Sequence, residues 1–96
     1  MNKIAIAEEL LKERAEHTTD ATAFRVNVHK DKKGRKERIT LTPDSDRRGG
    51  NDGTFYHMDT VVKVCEPLHL NYWISSMVYY DETVQYYRAT FEVHIY

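Results

Sequence analysis

Apolar and polar residues alternate through the last third of the chain, in two runs separated by Asp81-Glu82-Thr83. A two-residue period is typical of strands that bury one face, so the pattern predicts strands at 72–80 and 84–96 joined as a hairpin. A loop with an even number of residues brings the two apolar sets to one face and sets Ile74 opposite Phe91. Those sets are Tyr72, Ile74, Ser76, Val78 and Tyr80, and Tyr87, Ala89, Phe91, Val93 and Ile95.

The preceding segment, 55–66, has a weaker alternation that carries Tyr56, Met58, Val62 and Val64 on one side. It predicts a further strand, and Pro67 ends it because proline cannot donate to a ladder. A three-residue loop at 67–69 would set Val62 opposite Ile74 in this hairpin. Thr60, Ser76 and Ala89 would then form a row of small residues, over which a covering helix could lie.

The N-terminal segment has the wider spacing of an amphipathic helix, from residue 3 to about residue 17, with Asn2 as its N-cap. Its apolar side predicts that Ile4, Leu10 and Leu11 are buried against that small row. Two more alternating runs, 21–30 and 37–43, predict a hairpin with Val28 opposite Ile39. Lys33-Gly34 suits its two-residue type I′ turn.

Together these patterns predict one α+β domain over residues 1–96, with an N-terminal helix packed on a five-stranded antiparallel meander sheet. The segment 44–53 is rich in glycine and polar residues and is expected to be a mobile loop. A chain of 96 residues fits a single small core.

The composition excludes several classes of protein. The net charge is −1, which offers no global attraction to nucleic acid or membranes, and no apolar run is long enough to span a bilayer. The single cysteine, Cys65, excludes an intramolecular disulfide and favours a reducing compartment, so we expect a cytoplasmic protein. No phosphate-binding, dinucleotide, nucleophile-elbow or metal motif is present, and we expect no enzyme activity, metal or cofactor.

Positive charge is concentrated in the predicted hairpin at 30–38, where six basic and two acidic residues give a local charge of +4 against −5 for the rest of the chain. This basic hairpin is expected to be exposed and to contact no core residue. It is interpreted either as a solubilising turn that protects a sheet edge or as a contact for phosphates or an acidic surface. Its candidate binding residues are Lys32, Lys33, Arg35 and Lys36.

The sheet face away from the helix is rich in aromatic residues. The predicted registers give rows that include His57–Tyr79–Tyr86, Asp59–Met77–Arg88 and Lys63–Trp73–Glu92. Exposed aromatics form protein interfaces or stack on bases, and in a closed barrel they would be core. The candidate binding residues of this face are Trp73, Met77, Tyr79, Tyr86, Arg88 and Lys63.

Histidines and serines offer little chemistry. His57 and Asp59 lie on one side of a predicted strand, at a spacing that could begin a metal or acid–base site, but no third ligand follows at a known interval. Ser75 and Ser76 lie within a predicted strand, which is a poor position for a nucleophile.

The leading hypothesis is a small non-catalytic module that binds another protein through the aromatic face, while the basic hairpin steers the encounter. Inhibitors of nucleic-acid-handling enzymes from phages and mobile elements often have this format. The alternatives are direct nucleic-acid binding by the hairpin at 30–38 and a structural homo-oligomer.

Overall fold

The computed structural model describes residues 2–44, 54–83 and 85–96, and for Met77 and Arg88 the description extends to the backbone only. The fold is α+β, with two helices on an antiparallel sheet. The elements are α1 (Lys3–Glu16), β1 (Phe24–Lys30), β2 (Lys36–Pro43), α2 (Met58–Leu68), β3 (Tyr72–Asp81) and β4 (Tyr86–Ile95). The loop expected at 44–53 lies, from residue 45 onward, outside the described residues.

Helix α1 begins as predicted, because the Asn2 carboxamide oxygen accepts hydrogen bonds from the backbone N–H groups of Ile4 and Ala5 at 3.0 and 3.2 Å. Ile4, Ala7 and Leu11 are buried at the i, i+3, i+7 spacing of one helix face. The prediction that Leu10 is buried is wrong. Its side chain is 46% exposed, because it lies to one side of that face.

Helix α2 replaces the strand predicted at 55–66, so the five-stranded meander is wrong. Val61, Val64 and Cys65 are buried, and Leu68 packs against the core, at the i, i+3, i+4, i+7 spacing of a helix. Pro67 lies in the last turn, and the helix ends where His69 adopts a left-handed conformation with φ of 55°. The predicted pairing of Val62 with Ile74 and the small row through Thr60 are therefore absent.

The four described strands have the order β1-β2-β4-β3. In the first hairpin Val28 pairs with Ile39 and Val26 with Leu41, as predicted. The two-residue type I′ turn is wrong, because such a turn requires positive φ at both central residues. Among the described turn residues only Gly34 has positive φ, at 82°, and the Asp31 N–H donates to Arg35 O across a three-residue loop.

The second hairpin keeps the predicted faces but has a different register. Ile74 and Phe91 share a face, and the loop of four residues between Asp81 and Tyr86 is even-numbered, as predicted. The direct partner of Ile74 is Val93 and that of Phe91 is Ser76. The loop lies one position further along than expected, which moves every partner by two residues and leaves the faces unchanged.

The two hairpins join through a short seam between β2 and β4, made by the pairs Ile39–Ile95, Thr40–His94 and Leu41–Val93. Each half of the chain therefore supplies a helix followed by a hairpin, and the two halves meet antiparallel at their second strands. Both helices cover the same face, which we call the inner face. Ile39, Leu41, Val93 and Ile95 on this face are fully buried in one core with residues of both helices.

Because the seam ends at Leu41–Val93, the rest of the β3–β4 hairpin extends past the body of the fold. We call this part, residues 74–92, the ribbon; at the usual rise per residue it is about 25 Å long. The radius of gyration is 14.2 Å, whereas a compact domain of this length has about 12.5 Å. The extents of 46 × 29 × 20 Å reflect the same elongation.

Candidate functional site

The ribbon is the principal exposed apolar feature of the described residues. Of the eleven exposed large hydrophobic side chains in the described part of the chain, eight belong to β3 and β4. These are Trp73, Ile74, Val78, Tyr79, Tyr80, Tyr86, Tyr87 and Phe91. They lie on both faces of the hairpin. This is unusual, because a monomeric protein rarely exposes even one large contiguous apolar patch.

The outer face, opposite the helices, carries three of the predicted binding residues in a line. Trp73, Tyr79 and Tyr86 are 49%, 43% and 56% exposed. Tyr86 pairs with Asp81 and Arg88 with Tyr79, so the two tyrosines are diagonal neighbours at the tip. Met77 lies between Trp73 and Tyr79 along β3. The structure thus leaves this face open and does not close it into a barrel.

Trp73 stacks on His94, with the ring centroids 4.4 Å apart and the planes at 14°. The predicted neighbour, Glu92, pairs instead with Ser75, because of the two-residue change in register. The stacking on His94 fixes the orientation of the indole, and Trp73 remains half-exposed and available to a partner. The sequence did not predict this contact, because it depends on the exact register.

Ser75, His94 and Glu92 form a cluster that resembles a catalytic arrangement but lacks its geometry. Ser75 Oγ lies 3.0 Å from His94 Nε2, and a Glu92 carboxylate oxygen lies 3.5 Å from the same nitrogen. A nucleophilic triad needs the acid on the other ring nitrogen. His94 Nδ1 is buried and has no hydrogen-bond partner in the described part of the chain. The cluster orients the ring against Trp73.

Three residues predicted to lie on the outer sheet face belong instead to helix α2 or to the residue before it. Lys63 is exposed on α2, so its predicted place beside Trp73 is wrong. His57 precedes the helix, is buried, and lies 2.9 Å through Nε2 from Thr22 O. Its ring also packs 4.9 Å from Phe24, so His57 is part of the core edge. Asp59 is exposed in the first turn of α2, where its negative charge interacts favourably with the positive end of the helix dipole.

The basic hairpin divides into structural and exposed positions. The Asp31 carboxylate accepts hydrogen bonds from the backbone N–H groups of Lys33 and Arg35, at 2.8 and 2.9 Å, and from Arg35 Nε at 3.0 Å. The backbone bond from Arg35 is the largest cause that lowers the pKa of Asp31. Lys36 Nζ binds the buried carboxylate of Glu8 in α1. The expectation that this hairpin contacts no core residue is therefore wrong for Lys36, while Lys32 and Lys33 are exposed.

The basic turn and the ribbon tip lie at opposite ends of the sheet. Strand β2 is antiparallel to β4, and Ile39 near its start pairs with Ile95 at the end of β4. The basic turn therefore extends beyond the Ile95 end, and the tip beyond the Tyr86 end. The two predicted parts of the binding surface do not form one site.

Other chemistry is sparse among the described residues. They contain no cluster of three or more histidine, cysteine or acidic side chains suited to a metal ion. Cys65 is buried, and desolvation raises the pKa of its thiol to about 11, which disfavours the reactive thiolate. No described helix has both the length and the apolar character needed to cross a membrane.

Comparison with protein-family models, with curated proteins and with solved structures finds no match to this chain.

Proposed function

We propose that this protein is a non-catalytic module that binds another protein through the outer face of the β3–β4 hairpin. The observation that supports this proposal is the line of exposed aromatic rings at Trp73, Tyr79 and Tyr86. Aromatic residues supply much of the energy of protein interfaces, because they bury large areas at a low cost in conformational entropy. Between Trp73 and Tyr79 the paired polar residues Ser75 and Glu92 lie on the same face, where their side chains can hydrogen-bond to a partner.

The shape of the hairpin supports the same function. A two-stranded ribbon is only marginally stable alone in water. A projecting one can reach into a concave surface of a partner, as an inhibitor of an enzyme does. The hypothesis that this partner is a nucleic-acid-handling enzyme is tested by the identity of the protein that the module captures.

The experiment is affinity capture from the cells that encode the chain, with wild-type protein and the double variant Tyr79→Ser/Tyr86→Ser as baits. We expect the wild-type bait to retain a partner protein even after nuclease treatment. The double variant should fail to retain that protein. Leu10→Ser is the matched control, because Leu10 is an exposed apolar residue on α1, away from the hairpin. Once the partner is purified, Trp73→Ala is expected to weaken binding by about 2 kcal/mol or more, which is roughly thirtyfold in Kd.

Direct nucleic-acid binding by the basic hairpin gives a different result in the same experiment. Capture would then be sensitive to nuclease, fall steeply with salt, and be lost in Lys32→Ser/Lys33→Ser. Capture that no substitution in the hairpin β3–β4 changes would contradict the proposed site.

A further inference from the structure

The inner face of the ribbon is a second apolar surface, separate from the proposed binding face. Val78, Tyr80 and Tyr87 on this face are 68%, 50% and 73% exposed. This surface continues the core, because the same face further along β4 carries the fully buried Val93 and Ile95. Helices α1 and α2 cover the face at the seam, and the described residues leave it open along the ribbon.

This inner face carries no charge. Its ten positions in β3 and β4 contain no acidic or basic residue; they are Tyr72, Ile74, Ser76, Val78, Tyr80, Tyr87, Ala89, Phe91, Val93 and Ile95. The chain's own segment 45–53, Ser-Asp-Arg-Arg-Gly-Gly-Asn-Asp-Gly, has no apolar side chain with which to cover it. This segment therefore offers the inner face of the ribbon no apolar side chain.

The inner face carries a projecting pair of tyrosine rings at the tip of the ribbon and a cleft at its base. At the tip, the rings of Tyr80 and Tyr87 pack edge to face, with centroids 5.3 Å apart. At the base, a cleft of about 220 Å³ is lined by Thr54, Phe55, Ile74 and Phe91. An apolar cavity of about 150 Å³ is enough to hold benzene, so this cleft can receive one phenol ring.

We propose that two copies of this chain pair through the inner faces of their ribbons, with the tip of each over the base of the other. The two-fold axis runs between the two inner faces, across the strand direction. It lies at the level of the Met77–Thr90 pair, midway between Ile74 and Tyr80. A two-fold interface repeats each contact, so one tyrosine–cleft contact occurs twice. Because neither face is charged, the copies meet without electrostatic repulsion.

The area is sufficient for a specific dimer. Five large apolar side chains on the face are one-third to three-quarters exposed: Ile74, Val78, Tyr80, Tyr87 and Phe91. At roughly 100 Å² for each half-exposed large side chain, they contribute about 500 Å² per copy. Complete burial of these side chains in both copies gives a total of about 1,000 Å², the smallest area expected of a specific interface. The outer faces with Trp73, Tyr79 and Tyr86 remain free on both sides of the dimer.

Light scattering coupled to size exclusion, on the full chain over a wide concentration range, tests this pairing. We expect a transition from the chain mass of 11.3 kDa to twice that mass. Val78→Asp should keep the protein monomeric, because it would bury a charge in the interface. Tyr79→Asp, the neighbouring residue on the opposite face, should leave the dimer intact. Circular dichroism establishes that both variants fold, and Val78→Ser provides a milder test of the same position.

A charge-pair experiment tests the tip-to-base arrangement. Tyr80→Lys and Ile74→Glu should each weaken self-association. Mixing the two variants should restore a dimer, because the ammonium introduced at the tip of one chain would face the carboxylate introduced at the base of the other. A wild-type chain that stays monomeric at all concentrations would overturn the proposal. So would equal loss of the dimer in Val78→Asp and Tyr79→Asp, or a mixture that does not associate. Partner capture through the outer face is measured separately and can succeed when dimerisation fails.

Discussion

Glu8 links the first helix to the basic turn through one buried carboxylate. Its two oxygens bind Lys12 Nζ at 2.8 Å and Lys36 Nζ, and the side chain is almost fully buried. The hydrogen bond from Lys12 is the largest cause that lowers the pKa of Glu8, followed by that from Lys36. A buried carboxylate with two cationic partners costs much more to unpair than a surface ion pair does.

Stability should therefore depend on pH through Glu8. A carboxyl group whose pKa is lowered on folding stabilises the protein above its ordinary pKa of 4.5, and this contribution is lost as the pH falls through the lower folded value. We expect the melting temperature of wild type to exceed that of Glu8→Gln at neutral pH, and the difference to shrink in acid below pH 4.5. Glu9→Gln, an exposed neighbour, is the control and should show no such convergence. A difference that is constant with pH would contradict the ionic role of Glu8.

Helix α1 packs on the sheet through a narrow apolar face, as the different burial of two adjacent leucines shows. Leu11 is fully buried and Leu10 is 46% exposed. Leu11→Ala should lower the free energy of unfolding by about 2–5 kcal/mol, because it leaves a cavity in the core. Leu10→Ala should change it by less than about 0.5 kcal/mol, as is usual for surface sites. Denaturant unfolding of the two variants makes the comparison, and similar losses would mean that α1 packs through a wider face.

The strand faces can be predicted from the sequence because side-chain direction follows the backbone period alone, whatever the strand pairs with. This is why the alternation correctly places Ile74 and Phe91 on one face, whereas the prediction that the two residues pair directly is wrong. Register depends on where the loop begins. Even-numbered loops that begin one residue apart satisfy the same alternation, and this shift decides whether Trp73 pairs with Glu92 or with His94.

Helix α2 is not predicted because its sequence fits both periods. Val61, Val62 and Val64 are β-branched residues that favour strands, and a proline such as Pro67 is compatible with the end of either element. The spacing from Val61 through Cys65 to Leu68 also fits a helix, and only the packing against α1 and the sheet selects it. Likewise the ion pair between Lys36 and Glu8 joins residues 28 positions apart, which no local pattern reveals.

At the scale of the whole molecule, burial from solvent is concentrated at the seam end of the sheet. The seam strands carry fully buried residues on the inner face, whereas the ribbon is exposed on both faces. In dilute protein, amide hydrogen exchange should be slowest at Ile39–Leu41 and Val93–Ile95 and fastest near the tip. At high concentration the ribbon amides alone should become slower, since the proposed dimer covers that region. Uniform protection along β3 and β4 in dilute protein would contradict this gradient.

The repeated helix–hairpin order has a further consequence for how the protein can be used. Cutting the chain between residues 45 and 53 would sever none of the described helices or strands and would leave two pieces of similar design. Their reassembly would depend on three residue pairs at the seam and on the packing of the two helices. The strength of reassociation could therefore be adjusted at Leu41 or Val93 without altering the exposed aromatic face. Joining the two pieces would restore the seam and the shared core on which the projecting β3–β4 hairpin rests.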